Sequence, residues 1–512
     1  MSKSAFRGLA PLVVLAALLL RLPGLGLRPM HPDEANQAMK SGTLIEKGEY
    51  HYDPSDHHGP SLYYLTWILA KALGRTTTAS LDEAMLRLLP ALFGAGTVVL
   101  LLLFASAMGR AAALAAAALA ALSPAFTYYS RFYIQESIFV FFITAFGLAL
   151  WKYRERPTGA RAAAAGVAAG LMFATKETSV IVFAAVGAAV LLTRGLNKER
   201  AGASPAGSRP RPLRDLALGF GLAAFTPAVL FSSFFGHPRG ILDSILTFGN
   251  YFAKSGDPGF HAHPAGYYIG LLTYSRSGSL VWSESLILAL ACLGTIAAVR
   301  KRGEFPVAAA LATVFAAAAF SLIAYKTPWN ALPFHLGFIV LAGVGTEFLF
   351  RMLRKPPLKT AAGILVGLGL VHLAWQSGQA NFRYPADPRN PYVYAQTSPD
   401  YLKLVKRVDD VAAVLPDREK SLIKVVCGLY ETWPLPWSLR RFTHVGYWQD
   451  AAAAGGFEDA TLVIASEDQA ARIRPLIADQ YHEEFYGLRP DVLLALFIRN
   501  ESWERFLDGR RR

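Results

Sequence analysis

The chain has 512 residues, 53% of them hydrophobic and 17% charged, with a mean hydropathy of +0.31, which is too apolar for a soluble globular protein of this size and points to a membrane protein. The same composition excludes intrinsic disorder and a coiled coil. Fifty-one Lys and Arg against 37 Asp and Glu give a net charge of +14, but the basic residues lie mostly in short loops between apolar runs, so the excess reads as membrane topology and not as nucleic-acid binding.

Predominantly apolar stretches of about 20 residues fall near 8–27, 84–108, 111–128, 135–152, 161–176, 178–194, 214–235, 281–299, 305–324, 331–350 and 360–376. They predict a mainly α, polytopic membrane protein of about eleven transmembrane helices. Lys3 and Arg7 precede the first stretch as in a signal peptide, but Arg21-Leu-Pro-Gly-Leu-Gly lacks a small-x-small cleavage site, so this helix is expected to stay as an anchor. With the N-terminus inside, the inner loops Lys152 to Arg161, Arg194 to Arg214, Arg300 to Glu304 and Arg351 to Lys359 are all basic. The first outer loop is acidic, with Asp33, Glu34, Glu46, Glu49, Asp53 and Asp56 against Arg28, Lys40 and Lys47. This is the positive-inside pattern, and it puts the outer loops 28–83 and 236–280 and the C-terminus outside the cytoplasmic membrane.

From about residue 377 the composition becomes mixed in charge. Short β-rich runs (SLIKVVC, TLVIAS, DVLLALFIR) alternate with helical ones (DYLKLVKRVDDVAAVL, SEDQAARIRPLIAD). The alternation predicts a transmembrane domain over 1–376 and a soluble extracytoplasmic α/β domain over 377–512. That second domain has no Gly-rich phosphate loop, and a stabilising or partner-docking cap is its plainest reading. Cys292 and Cys427 are too few and too far apart in the sequence for a disulfide framework.

The strongest local signal is His31-Pro32-Asp33-Glu34-Ala35, a carboxylate pair just past the outer end of the first helix. Two such acids can serve as a base and its partner, or can complement the N-terminus of a short helix that opens at Pro32. Next comes His57-His58-Gly59-Pro60-Ser61-Leu62-Tyr63-Tyr64-Leu65. Its apolar run is too short to span, so it is expected to lie along the outer surface with Tyr63, Tyr64 and Trp67 at headgroup level. The loop from His237 to Leu280 echoes it with His261-Ala-His263-Pro-Ala-Gly-Tyr267-Tyr268. Aromatics at helix ends read mainly as an interfacial belt, with Tyr128, Trp282 and Trp329 as candidates for a groove.

These residues carry a resemblance. An acidic pair in the first outer loop, followed by an interfacial His-x-Pro-x-Leu-Tyr-Tyr-like helix, is similar to the GT-C superfamily of polyprenyl-phosphate-sugar-dependent glycosyltransferases. Protein O-mannosyltransferases and aminoarabinose lipid A transferases belong to that superfamily. MHPDEANQA, HHGPSLYYL and Tyr325-Lys326-Thr327-Pro328-Trp329 also resemble the prokaryotic flippase-activity-associated proteins. The resemblance covers most of residues 1–376.

The resemblance implies inverting transfer of a sugar from a polyprenyl-phosphate carrier to an acceptor hydroxyl at the outer face. Asp33 is then the general base, and Glu34 and Glu136 are its supporting acids. A departing lipid phosphate calls for cations near the outer interface. Arg131 in Ser130-Arg131-Phe132-Tyr133-Ile134-Gln135-Glu136, Lys176 and Lys326 fit that need; each also fits a side chain snorkelling from a helix end. His58, Tyr63, His261, His263 and Tyr267 are further substrate-binding candidates. Asp33, His57, His261 and His263 are candidate ligands for a divalent metal, although histidines there can equally bind a phosphate or a sugar. The expected partners are the sugar donor, a protein, lipid or glycan acceptor and membrane lipids, with no nucleic acid. Two rival readings are a lipid-linked glycan transporter or flippase component and a non-catalytic accessory scaffold. One-sided clustering of the charges, without an internal repeat, weighs against a transporter.

Overall fold

Ser2 caps the first apolar run, its hydroxyl accepting from the Ala5 amide at 3.1 Å, and helix α1 (Lys3–Arg21) follows until the Leu22-Pro23-Gly24 sequence ends it. The computed structural model describes residues 1–56, 58–198, 212–256 and 259–511; His57 and most of the basic loop 194–214 lie outside the described residues. Two amphipathic helices, α2 (Pro32–Lys47) and α3 (Ser61–Ala72), precede the long α4 (Glu83–Leu103) and its one-turn extension α5 (Ala105–Met108). Then come α6 (Arg110–Leu122), the short α7 (Pro124–Tyr129), α8 (Glu136–Glu155), α9 (Gly159–Phe173), α10 (Ser179–Lys198) and α11 (Pro212–Phe231). The long loop after them folds into α12 (Arg239–Gly256), α13 (Tyr267–Thr273) and a hairpin of β1 (Ser275–Ser277) and β2 (Leu280–Trp282). Helices α14 (Ser285–Lys301), α15 (Glu304–Leu322), α16 (Leu332–Met352) and α17 (Pro356–Gly378) complete the bundle.

Each expected apolar stretch is helical, as α1, α4, α6, α8 to α11 and α14 to α17. Among the described residues, 8 helices are long and apolar enough to cross a membrane. Helices α6, α9 and α14 are shorter, at 13, 15 and 17 residues. Small residues let these helices approach closely where lipid supplies no hydrophobic drive. Gly345 on α16 sits against the Leu290 carbonyl of α14, and Gly294 on α14 against the Leu341 carbonyl of α16, so a methyl group at either would meet backbone.

Helix α3 is covered by protein and does not lie exposed along a surface. Tyr63 is fully buried and Tyr64 nearly so, packed with Tyr50, Tyr52, Ala174 and Phe231. The Tyr63 hydroxyl donates to Gln37 Oε1 on α2. The reason is that α2 folds over α3 and covers the face that the apolar run presents. Helix α12 is two-faced: Leu242, Ile245 and Leu246 are exposed, while Thr247 and Asn250 turn inward to the Pro54 carbonyl at 3.0 and 2.9 Å. An apolar outer face with a polar inner one suits a headgroup boundary.

After α17, residues 379–397 stay with the bundle: Ala380 and Tyr392 belong to its core. The α/β core itself starts at α18 (Tyr401–Ala413), which is followed by β3 (Ile423–Val426), α19 (Leu435–Ser438), β4 (Val445–Trp448), β5 (Leu462–Ser466), α20 (Glu467–Ile477), β6 (Tyr481–Arg489), β7 (Val492–Arg499) and α21 (Asn500–Arg511). The sheet order is β4-β3-β5-β7-β6, parallel over the first three strands and antiparallel over the last two pairings. The apolar runs legible in the sequence are its central strands β3, β5 and β7. The edge strands β4 and β6 are short or mixed in charge and give no such signal.

The α/β domain docks on α2. Trp437 of α19 is buried among Met30, Ala35, Ala38, Leu81 and Met85, and its indole N–H donates to Glu83 at 2.7 Å. Arg440 stacks over Trp437 with its guanidinium carbon 3.7 Å from the ring centre and bonds the Leu81 carbonyl at 2.8 Å.

Candidate active site

Helix α2 begins where the chain leaves α1, and its first turn fixes the two neighbouring acids differently. Pro32 supplies a preset first helical residue, and His31 caps the helix. His31 Nδ1 accepts from the Asp33 amide at 3.0 Å, so its proton is on Nε2, which donates to the Tyr394 carbonyl at 3.0 Å. Burial lowers the pKa of this imidazole, against the pull of Asp33 and Glu34.

Glu34 points into the protein and is fully buried. Arg87 of α4 grips it in a fork, Nε to Oε1 and Nη2 to Oε2, both at 2.7 Å. The amides of Tyr133 and His31 donate to it at 2.8 and 3.0 Å, and Arg28 approaches at 3.4 Å. Burial alone pushes the carboxyl up, but Arg87 and Arg28 outweigh it and hold the pKa at about 2. Asp33 points the other way, with its side chain 50% exposed and its carboxylate 3.7 Å from Nδ1 of the neutral His31 ring. Of the two acids, Glu34 is buried and paired and Asp33 is open to solvent.

Lys176 follows the end of α9, and Glu136 opens α8. They form a buried ion pair, and Lys176 also donates to Asn330 Oδ1 at 2.9 Å. Glu136 Oε2 is buried without a partner. Beside them Glu177 Oε2 accepts from the Tyr251 hydroxyl at 2.9 Å and contacts His58 Nδ1 at 3.1 Å. Burial raises the Glu177 carboxyl, and His58 with Tyr251 more than reverses it, so its pKa is lowered.

Lys326 lies beyond the end of α15 and is 1% exposed. Its ammonium donates to the carbonyls of His263 at 2.9 Å and of Ile323, and no carboxylate among the described residues is in salt-bridge contact with it. Burial lowers its pKa. His261 meets the Tyr394 hydroxyl at 2.8 Å and packs at a tilt against Tyr325, ring centres 4.4 Å apart; His263 stacks on Tyr267 at 4.3 Å. Burial, then the charges of Asp33, Tyr394 and Glu136, push the Tyr325 phenol up. Trp329 packs between them, 6.0 Å from the His31 ring and 5.7 Å from Tyr394.

The geometry thus brings Asp33, Glu136, Lys176, Lys326, His58, His261, His263 and Tyr267 to one end of the bundle. Arg131 and Tyr63 stand apart in role. Arg131, expected to clamp phosphate, instead gives Nη1 to the carbonyls of Arg21 and Pro23 and Nη2 to that of Gly24, at 2.9, 2.6 and 2.8 Å. It closes the end of α1, because the last carbonyls of a helix need donors. Among the described residues no group of three His, Cys, Asp or Glu side chains is placed to share a metal ion. The candidate ligands Asp33, His261 and His263 do not form such a group, and His57 lies outside the described residues.

Sequence reasoning gave no role in the site to Arg28, Arg87, His31, Asn330, Tyr251 or Tyr394. A signal existed for Arg87, an arginine within the apolar run that begins near 84. Tyr394, more than 350 residues from His31, had none.

A family model described as dolichyl-phosphate-mannose-protein mannosyltransferase matches residues 48–197. No curated protein matches the chain. Among solved structures, ArnT from Cupriavidus metallidurans bound to undecaprenyl phosphate is similar at 16% identity, covering 95% of this chain and 98% of that one, with a TM-score of 0.62. The apo oligosaccharyltransferase of Archaeoglobus fulgidus is similar at 13% identity, covering 95% and 74%, with a TM-score of 0.57. The archaeal oligosaccharyltransferase AglB from the same organism, in complex with an inhibitory peptide and a dolichol-phosphate, is similar at 14% identity, covering 95% and 74%, with a TM-score of 0.53. The chain has the GT-C fold, as the resemblance in its first loop implied.

Proposed function

We propose that the chain is an inverting glycosyltransferase that moves a sugar from a polyprenyl-phosphate carrier to an acceptor hydroxyl, with Asp33 as general base. One observation carries this reading. An apolar cavity of about 410 Å³ opens between α10 and α15, lined by Val180, Ile181, Ala184, Ala185, Phe315 and Ala319. Val180 is in the first turn of α10, just after Lys176, and Ala319 is in the last turn of α15, just before Lys326. An isoprenoid tail lying there delivers its phosphate to two lysines on the end of the bundle that carries Asp33. The mannosyltransferase family match and the lipid phosphates named with ArnT and AglB support the same donor class.

On this reading the acceptor hydroxyl attacks the anomeric carbon on the face opposite the phosphate while Asp33 takes its proton. The bond from that carbon to the phosphate oxygen breaks, and the lipid phosphate leaves with the electron pair. Lys326, which has only carbonyl partners, is the cation best placed to gain from the developing charge, and Lys176 shares it. Glu136 tethers Lys176 and is not the base. His58 braces Glu177, while His261 and Tyr267 belong to the aromatic wall around the sugar. Arg131 and Tyr63 have no part in the transfer.

The basic inner loops follow the far ends of α8, α14 and α16, so positive-inside orientation puts Asp33 and the α/β domain on the extracytoplasmic side. The test is incubation of purified protein in nanodiscs with a panel of polyprenyl-phosphate sugars, following loss of sugar by mass spectrometry. Acceptor-dependent loss in the wild type and none in Asp33→Asn is the expected result. Turnover by Asp33→Asn at the wild-type rate overturns the assignment of the base.

A further inference from the structure

The arginines around Glu34 outnumber it, and their excess charge converges on a second small cavity. This cavity lies at the junction of α1, α7 and the segment after α17, lined in part by Gly24, Arg28, Arg87, Tyr128, Arg131 and Asn381. It measures about 10 Å³, room for a single water-sized atom. No carboxylate among the described residues lines it. Glu34, the one acid among the described residues that is ion-paired with these arginines, is held in a fork by Arg87 and lies 3.4 Å from Arg28.

Arg28 is 6% exposed, and its guanidinium carbon is 4.3 Å from the Phe132 ring centre and 5.0 Å from that of Tyr128. Its Nε is buried and has no hydrogen-bond partner among the described residues. An N–H of a buried cation without an acceptor is among the most costly polar groups to leave unmatched. Burial, followed by the charges of Arg28 and Arg87, lowers the pKa of Arg131 to about 10. Two guanidinium groups, those of Arg87 and Arg28, therefore share the Glu34 carboxylate, and Arg131 adds a third cation on the wall of the same cavity. Leu27, which lines the opening, is 56% exposed, and Phe382, stacked on Arg131 at 4.8 Å, is 39% exposed. Apolar residues at the rim and cations within describe a place at the boundary between lipid headgroups and acyl chains.

We propose that this cavity is an anion site, receiving one oxygen of a phosphoryl group, and that it is distinct from the donor-phosphate position at Lys176 and Lys326. The phosphoryl group belongs to an anionic membrane lipid or to free phosphate. A bound oxygen gives Arg28 Nε its missing acceptor and offsets the repulsion among the three arginines. Because Arg28 and Arg87 also hold Glu34, occupancy stiffens the turn that presents Asp33.

Full-length protein in phosphatidylcholine nanodiscs doped with phosphatidylglycerol is released into a mass spectrometer, and retained phosphatidylglycerol is counted. Thermal unfolding in detergent with and without inorganic phosphate is the second arm. Arg28→Gln also strips a partner from Glu34, so Leu27→Glu is the deciding variant: it sets a like charge at the mouth and removes no arginine contact. Wild type and Lys326→Gln should both retain phosphatidylglycerol, and Leu27→Glu should retain it roughly tenfold less, the effect of one added anion a few ångströms from the phosphate. Stabilisation by inorganic phosphate in wild type but not in Leu27→Glu identifies free phosphate as a ligand; retention of lipid without it identifies the lipid headgroup. Equal retention and equal phosphate response in wild type and Leu27→Glu overturn the proposal.

Discussion

Replacing Asp33 and Glu34 one at a time separates chemistry from architecture in two adjacent residues of the same charge. Glu34→Gln removes a fully buried carboxylate that carries both arms of the Arg87 fork, two backbone amides and the contact to Arg28. Leaving those guanidinium groups buried without their anion costs about 3–5 kcal/mol. At roughly 2 cal/mol/K of unfolding entropy per residue, a chain of this length should lose at least about 3 °C of melting temperature. Asp33→Asn touches a side chain that is half exposed, and its effect on stability should stay within about 0.5 kcal/mol. Its effect on transfer should be large, about 100- to 10,000-fold, the usual contribution of a general base. Thermal unfolding in detergent and single-turnover transfer from a polyprenyl-phosphate sugar read the two quantities independently. A stable, inactive Glu34→Gln beside an active Asp33→Asn would reverse the roles and refute the reasoning from burial.

Other expectations follow from the same contacts. Lys326→Met should weaken donor binding or turnover by about tenfold or more with no loss of melting temperature, because its amine is buried against carbonyls alone; titration with the donor and a melting curve check both halves. Acid should destabilise the protein through Glu34: its folded pKa is depressed from 4.5 to about 2, so its stabilisation is complete above pH 4.5 and lost as the pH falls toward 2. Melting temperature against pH should be flatter for Glu34→Gln in that window. Trp437→Ala should cost about 3–5 kcal/mol and expose the α/β domain to limited proteolysis, since this indole is the buried anchor on α2. Gly345→Ala should lower expression and melting temperature, because its methyl group would meet the Leu290 carbonyl in the α14 and α16 crossing.

Much of this architecture is legible in one dimension because a bilayer imposes a one-dimensional rule. A backbone in hydrocarbon must satisfy its hydrogen bonds within a helix, so a run of apolar residues near the required length is a helix, and the eleven expected stretches each became one. The central strands of the α/β domain were legible for a related reason: β3 and β5 are buried along their whole length, so they read as continuous apolar runs. The acidic pair and the histidine-proline helices stood out because charge next to a membrane span is unusual.

What the sequence by itself determined is the solvent of each segment, the order of the helices and the set of polar residues at one end of the bundle. Direction and partnership came only from the tertiary structure. Asp33 and Glu34 look alike in the sequence, and only the docking of α2 against α4 turns one inward to Arg87 and leaves the other open. Arg131 and Lys326 are both cations at helix ends; the first meets the carbonyls that end α1, and the second is buried with no carboxylate. Tyr63 reads as an interfacial aromatic until α2 covers it. Helical periodicity and hydropathy report the medium around a residue, whereas the atoms it meets depend on how distant segments pack. That is why Tyr394 and His31, more than 350 residues apart, share a hydrogen bond that no local pattern announces.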